Sequence, residues 1–86
     1  MEQKILVDKI ISFCYEYGVI NKSFPLSKFE SMIERNLDKT DFVESLINKI
    51  ILTTKIRQGV DIKLVKELLI ELEKIRLELE YKSPTV

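Results

Sequence analysis

The sequence predicts an all-α fold, a compact antiparallel bundle of four helices, three long and one short. Three observations carry that prediction. Apolar side chains recur at three- and four-residue steps along almost the whole chain. Gly18, Pro25 and Gly59 fall between the periodic stretches and not within them. The connections are short, which sets successive helices antiparallel. Eighty-six residues suit one domain, and 45% hydrophobic content suffices for one core without a metal or disulfides. That domain is expected over residues 1–82, with Ser83-Pro84-Thr85-Val86 a disordered tail.

The first helix is expected from about Lys4 to Tyr17. Leu6, Ile10, Phe13, Cys14 and Tyr17 form one stripe, widened by Val7 and Ile11. Gly18 stands where a left-handed C-terminal cap belongs. Pro25 lacks an amide donor and breaks the chain before the second helix. Ser27-Lys28-Phe29-Glu30 fits a capping box. The short second helix, about Lys28 to Asn36, then buries Phe29, Met32 and Ile33. Asp38 or Thr40 can cap a third helix running to about Gln58, which Gly59 ends. Phe42, Val43, Leu46, Ile47, Ile50 and Ile51 share its broad face, while Leu52 and Ile56 fall outside. So wide an apolar arc suits the central helix of a bundle, or one that meets a partner on its second side. Ile50-Ile51-Leu52-Thr53-Thr54 is rich in β-branched residues, but the flanking periodicity makes it helical. Asp61 can cap the fourth helix, which reaches about Tyr81 on a stripe of Leu64, Val65, Leu68, Leu72, Ile75 and Leu79. Glu78–Lys82, Lys63–Glu67, Lys74–Glu78 and Arg76–Glu80 have the spacing of helical ion pairs.

Composition excludes several functions. Charged residues make up 33% of the chain and the apolar runs are only a few residues long, so no membrane span is expected. The N-terminal apolar stretch is broken by Asp8 and Lys9, unlike a secretory signal, and a cytoplasmic protein is expected. Histidine is absent, which removes the commonest general base and metal ligand. Cys14 is the single cysteine and lies on the apolar stripe, so a buried, inert thiol is expected. No phosphate-cradling glycine loop exists. Neither a cofactor nor a metal is expected, and the chain reads as no enzyme.

Charge is zoned although the net charge is zero. Residues 46–66 carry Lys49, Lys55, Arg57, Lys63 and Lys66 against Asp61 alone, and the segments on either side are acidic. Zoning of this kind suits a charged partner. Glu30, Glu34, Asp38, Asp41 and Glu44 recur at three- and four-residue steps, as either a solvated face or an acidic surface that meets a basic protein. Paired carboxylates on such faces lack the apolar cleft that acid–base chemistry needs. Lys55, Arg57, Lys63 and Lys66 gather around Gly59 and are the candidates for phosphate contact. A sequence pI of about 6.3 and acidic starts to both flanking helices argue against nucleic acid as the partner. Ile70, Leu77 and Tyr81 lie on the side of the fourth helix away from its main stripe. Either the first helix or the loop around Phe24 covers them, or they form an exposed strip that docks a partner or a second copy.

The stretch Leu6-Val7-Asp8-Lys9-Ile10-Ile11-Ser12-Phe13, the turn into Ser27-Lys28-Phe29-Glu30 and the closing Val60-Asp61-Ile62-Lys63-Leu64-Val65-Lys66-Glu67-Leu68-Leu69 together resemble the small α-helical immunity proteins that bacteria make against their own toxins. The likeness is to the colicin D-type group and, more loosely, to the bacteriocin immunity bundles. It implies a rigid bundle that neutralises a toxin by covering its active site with carboxylates that imitate substrate phosphates. Charge, and not the resemblance, selects Glu30, Glu34, Asp38, Asp41 and Glu44 for that role. The competing expectations are a small DNA-binding regulator using residues 55–66 and a helical oligomerisation or adaptor module, a homodimer included, using Ile70, Leu77 and Tyr81.

Overall fold

Four helices follow one another in the computed structural model, which describes residues 2–82: α1 (Gln3–Glu16), α2 (Leu26–Asn36), α3 (Thr40–Ile56) and α4 (Ile62–Lys82). The all-α antiparallel expectation holds, with α2 the short member. The tail expected after Lys82 lies outside the described residues.

α1 buries Leu6, Val7, Ile10, Ile11, Phe13 and Cys14 on the stripe that periodicity gives. Gly18 then adopts a left-handed φ of 71°, and the Val19 amide returns to the Cys14 carbonyl at 2.9 Å. A residue with a Cβ would be strained there, and that Cβ would lie 3.0 Å from Arg57 Nη1. The loop before α2 is held by Tyr15, whose hydroxyl donates to the Phe24 carbonyl at 2.7 Å. The Tyr15 and Phe24 rings both meet Phe29 edge-on.

Two caps differ from expectation. α2 begins at Leu26 with Pro25 as its N-cap, so Ser27 already lies inside the first turn and makes no capping box. The extended backbone of Pro25 sets the break, and its carbonyl accepts the Phe29 amide at 3.1 Å. α3 starts from Lys39, and neither Asp38 nor Thr40 caps it with a side chain. Asp41, in the first turn, still places negative charge near the positive end of the helix dipole. By contrast, Asp61 does cap α4, since its Oδ1 accepts the Leu64 amide at 3.2 Å. α3 also stops earlier than expected. Arg57 turns extended, and Gly59, at a φ of 75°, shapes the link rather than the helix end.

The helix order in space corrects a further expectation. α3 is not central. It packs chiefly on α4, and α4 and α2 both pack on α1, so α4 and α1 form the middle of the molecule. Val65, Leu68 and Leu72 of α4 join Phe13, Ile33, Val43 and Ile50 in one core. Leu52 and Ile56, on the outer side of α3, remain exposed. The body measures 42 × 27 × 21 Å. At one end, Gln3 of α1, Leu37 and Asp38 after α2, and Leu79 and Lys82 of α4 border one cleft. At the other, Tyr17 meets the α3–α4 link. Its hydroxyl accepts the Asp61 amide at 2.9 Å, and its carbonyl accepts Arg57 Nη1 at 2.5 Å.

Candidate functional site

Chemistry is scarce among the described side chains. Cys14 is buried, and burial pushes its thiol up to about 11, with nearby Lys49 pulling weakly the other way. A thiol held so high is not a nucleophile near neutrality. Among the described residues no group of carboxylates and cysteine is placed to hold a metal ion. No buried side-chain polar atom there is left without a partner.

The five carboxylates selected from charge do not gather in one place. Glu34 and Asp38 line the cleft at the end of the molecule, joined there by Glu78. Asp41 and Glu44 border a separate shallow depression on α3, beside Ser45, Asn48 and Lys49. Glu44 also lines a small recess with Glu73 and Arg76. Glu30 lines neither of the first two and is half-buried on α2. The five alternate across a break in the chain, and the turn at Leu37-Asp38-Lys39 sends α3 in a new direction. The even sequence spacing therefore does not survive as one patch.

The basic corner is real but partly engaged. Lys55, Arg57, Lys63 and Lys66 are all exposed near the Gly59 link. Arg57 spends its guanidinium on the Tyr17 carbonyl, which is the end carbonyl region of α1. Its first role is to tie α1 to the α3–α4 link. Tyr17, read in the sequence only as an apolar stripe member, is the other half of that tie.

The outer side of α4 is where the structure departs most from a plain bundle. Neither α1 nor the Phe24 loop covers Ile70, Leu77 or Tyr81, which are 57%, 51% and 92% exposed. Ile70 and Leu77 open into a shallow groove of about 510 Å³ between α3 and α4, completed by Ile47, Ile51, Leu69, Glu73 and Lys74. Its walls are almost wholly apolar. Tyr81 stands on the same side of α4, beyond the groove residues. Periodicity places Ile47 and Ile51 on the core-facing side of α3 and leaves Leu69 off the main stripe of α4. The unbroken run Leu68-Leu69-Ile70 is the signal that α4 is apolar on more than one side.

Ion pairs fix the rim of this groove. Arg76 bridges Glu73 and Glu80, the latter at 3.3 Å as its spacing suggests. The hydrogen bond from Arg76 holds the Glu73 carboxyl below its usual range and raises the guanidinium further. Lys74 reaches back to Glu71 at 3.6 Å rather than forward to Glu78, and Glu67 takes Lys9 of α1 at 2.5 Å rather than Lys63. Packing of α1 on α4 thus redirects one of the pairs that local spacing suggests, and a closer neighbour on the same helix takes the other.

The chain matches no model of a known protein family, no curated protein sequence and no solved structure. Among the described residues no helix is long and apolar enough to cross a membrane.

Proposed function

We propose that this chain is a non-catalytic protein-binding module that engages its partner through the apolar face shared by α3 and α4. One observation carries the reading: Ile51, Ile70 and Leu77 stay exposed around a groove whose other walls are Ile47 and Leu69. A chain this small gains little by leaving such side chains in water. Contiguous exposed apolar surface with a charged rim is the mark of an interaction site. A groove between two helices suits an apolar helix face laid along it. The inert Cys14 and the absence of histidine accord with a binding role.

The test compares wild type with Ile51→Asp and Leu77→Asp in affinity capture followed by reconstitution from purified components. Wild type is expected to bind one defined protein, a second copy of itself included, with the negative heat-capacity change of apolar burial. Both variants are expected to lose it while keeping their helix content. Equal binding by the variants would refute the assignment of this face.

A narrower reading, toxin neutralisation by a cytoplasmic bacterial immunity protein, has one observation in its favour. Glu34, Asp38 and Glu78 border one cleft, so three carboxylates can face a basic active site together. Such a group would act as a decoy for substrate phosphates. Reversing Glu34 and Asp38 to lysine is expected to slow association with a cognate toxin more than it speeds dissociation, because rim charges act on encounter. Unchanged association would remove that cleft from the toxin contact. The alternative of a DNA-binding regulator draws less support, since Arg57 is engaged within the fold and Asp61 occupies the start of α4.

A further inference from the structure

We infer that the occupant of the α3–α4 face is a second copy of this chain, docked with its α4 antiparallel to the first about a twofold axis. The inference rests on the protein-binding reading and names the partner. Its first ground is the order of side chains along the outer strip of α4. Lys63 and Lys66 open the strip, Ile70 and Leu77 occupy its middle with Lys74 between them, and Glu80 and Tyr81 close it, all of them exposed. A second strip laid antiparallel puts apolar middle on apolar middle and sets each basic start opposite an acidic finish. A parallel strip would set lysine against lysine and glutamate against glutamate.

The second ground is the same polarity in the whole body. α1, α2 and α4 bring Glu34, Asp38 and Glu78, against the single base Lys82, to one end of the molecule. The Gly59 link holds Lys55, Arg57 and Lys63 near the other, where the Tyr17 tie anchors it. Antiparallel docking lays the acidic end of each copy beside the basic end of its mate. The surface is therefore complementary to itself, which is the condition for a closed twofold interface. The 21 residues of α4 span about 31 Å, and α3 widens the face beside it, toward the roughly 800 Å² per partner of an ordinary stable interface. Arg76 already holds Glu80 within one chain, so the opposing lysines would share a carboxylate that is fixed in place.

Sedimentation equilibrium from micromolar to millimolar concentration tests the pairing. Wild type is expected to reach a dimer and stop there. Leu77→Asp is expected to weaken association by about a hundredfold, since it leaves an unpaired carboxylate of each chain in the contact. Cross-linking tests the direction with variants at exposed sites that the fold does not need. A mixture of Lys66→Cys and Glu80→Cys chains is expected to form the mixed disulfide readily, and each variant alone far less. Cys14 is buried and stays out of this chemistry. Self-cross-linking of Lys66→Cys alone would overturn the antiparallel arrangement. A wild type that remains monomeric throughout would overturn self-pairing. If that monomer bound a separate protein and Leu77→Asp lost it, the binding face would stand with a different occupant. If the variant lost nothing, both proposals would fall.

Discussion

α4 carries two apolar stripes that differ in fate. Val65, Leu68 and Leu72 face α1 and α3 and are buried, with Leu68 and Leu72 sealed completely. Ile70, Leu77 and Tyr81, on the other side of the same helix, are open to solvent. The residue types are nearly the same, and both stripes follow helical spacing. What separates them is the presence of a neighbouring helix. α1 and α3 cover one side of α4, and no other helix among the described residues packs on its outer side. An apolar stripe therefore states what a helix can bury, while the supply of neighbours decides what it does bury.

The largest expected effect breaks the inner stripe. Leu72→Ala removes a fully buried side chain from the middle of the core, which should cost about 2–5 kcal/mol. A domain of this size has only about 4–13 kcal/mol in total. Urea denaturation followed by circular dichroism should show a large fall in the midpoint, or a chain already unfolded in water. A midpoint within experimental error of wild type would mean that α4 does not present Leu72 to the core.

The covered side of the bundle also answers to pH. Burial raises the Cys14 thiol from an ordinary 9.0 to about 11. Below the lower value both folded and unfolded chains keep the proton. Between the two values the unfolded chain releases it and the folded chain does not, so stability falls as pH rises through that window. The loss should be on the order of 2 kcal/mol between about pH 8 and about pH 11. The measurement is a difference between wild type and a variant that lacks the thiol. Urea midpoints of wild type should fall more steeply across the window than those of Cys14→Ala. Parallel falls would show a thiol that ionises as freely in the folded chain as in the unfolded one.

A smaller effect tests what holds the inner stripe in register. Tyr17 accepts the Asp61 amide, and Asp61 in turn caps α4. Tyr17→Phe deletes only the hydroxyl, and Asp61→Ala only the cap. Each should cost about 1 kcal/mol. The residues touch through one hydrogen bond, so the double variant should lose less than the sum of the two. Strict additivity in a double-mutant cycle would show that the cap and the tie act separately.

The helices, the inner stripe of α4, the left-handed Gly18 and the Asp61 cap were all legible in the sequence, because each is a local consequence of spacing or of one residue's chemistry. Other features required knowledge of which helices meet. The width of apolar surface on α3 suggested a central helix, yet the structure gives that place to α4 and α1 and leaves Leu52 and Ile56 in water. Pro25 overrode the capping box at Ser27 because its restricted backbone starts the helix two residues earlier. Among the candidate site residues, Ile70 and Leu77 stood out by spacing, while Ile47, Ile51 and Leu69 completed the groove from positions that looked like core. The acidic set looked continuous in sequence and divides in space, since a chain reversal at Lys39 carries Asp41 and Glu44 away from Glu34. Tyr17 resembled an ordinary stripe residue, and nothing in its spacing announces a bond to a backbone amide 44 residues away.

The smallest expected effect sharpens the contrast most. Ile70→Ala and Leu77→Ala trim exposed side chains, so in dilute solution each should shift the folding free energy by less than about 0.5 kcal/mol. The same substitution types at Leu68 or Leu72 should be several times more costly, although they lie on one helix. Concentration then separates the two stripes again. If the outer stripe is covered by a second chain, binding to the folded state adds stability that grows with protein concentration. The thermal midpoint of wild type should climb as concentration rises, and that of Leu77→Ala should climb less. A midpoint independent of concentration in both would leave the outer stripe uncovered by its own kind. An inner-stripe variant such as Leu68→Ala offers the control: its midpoint should start much lower and still rise with concentration, because the outer strip is intact.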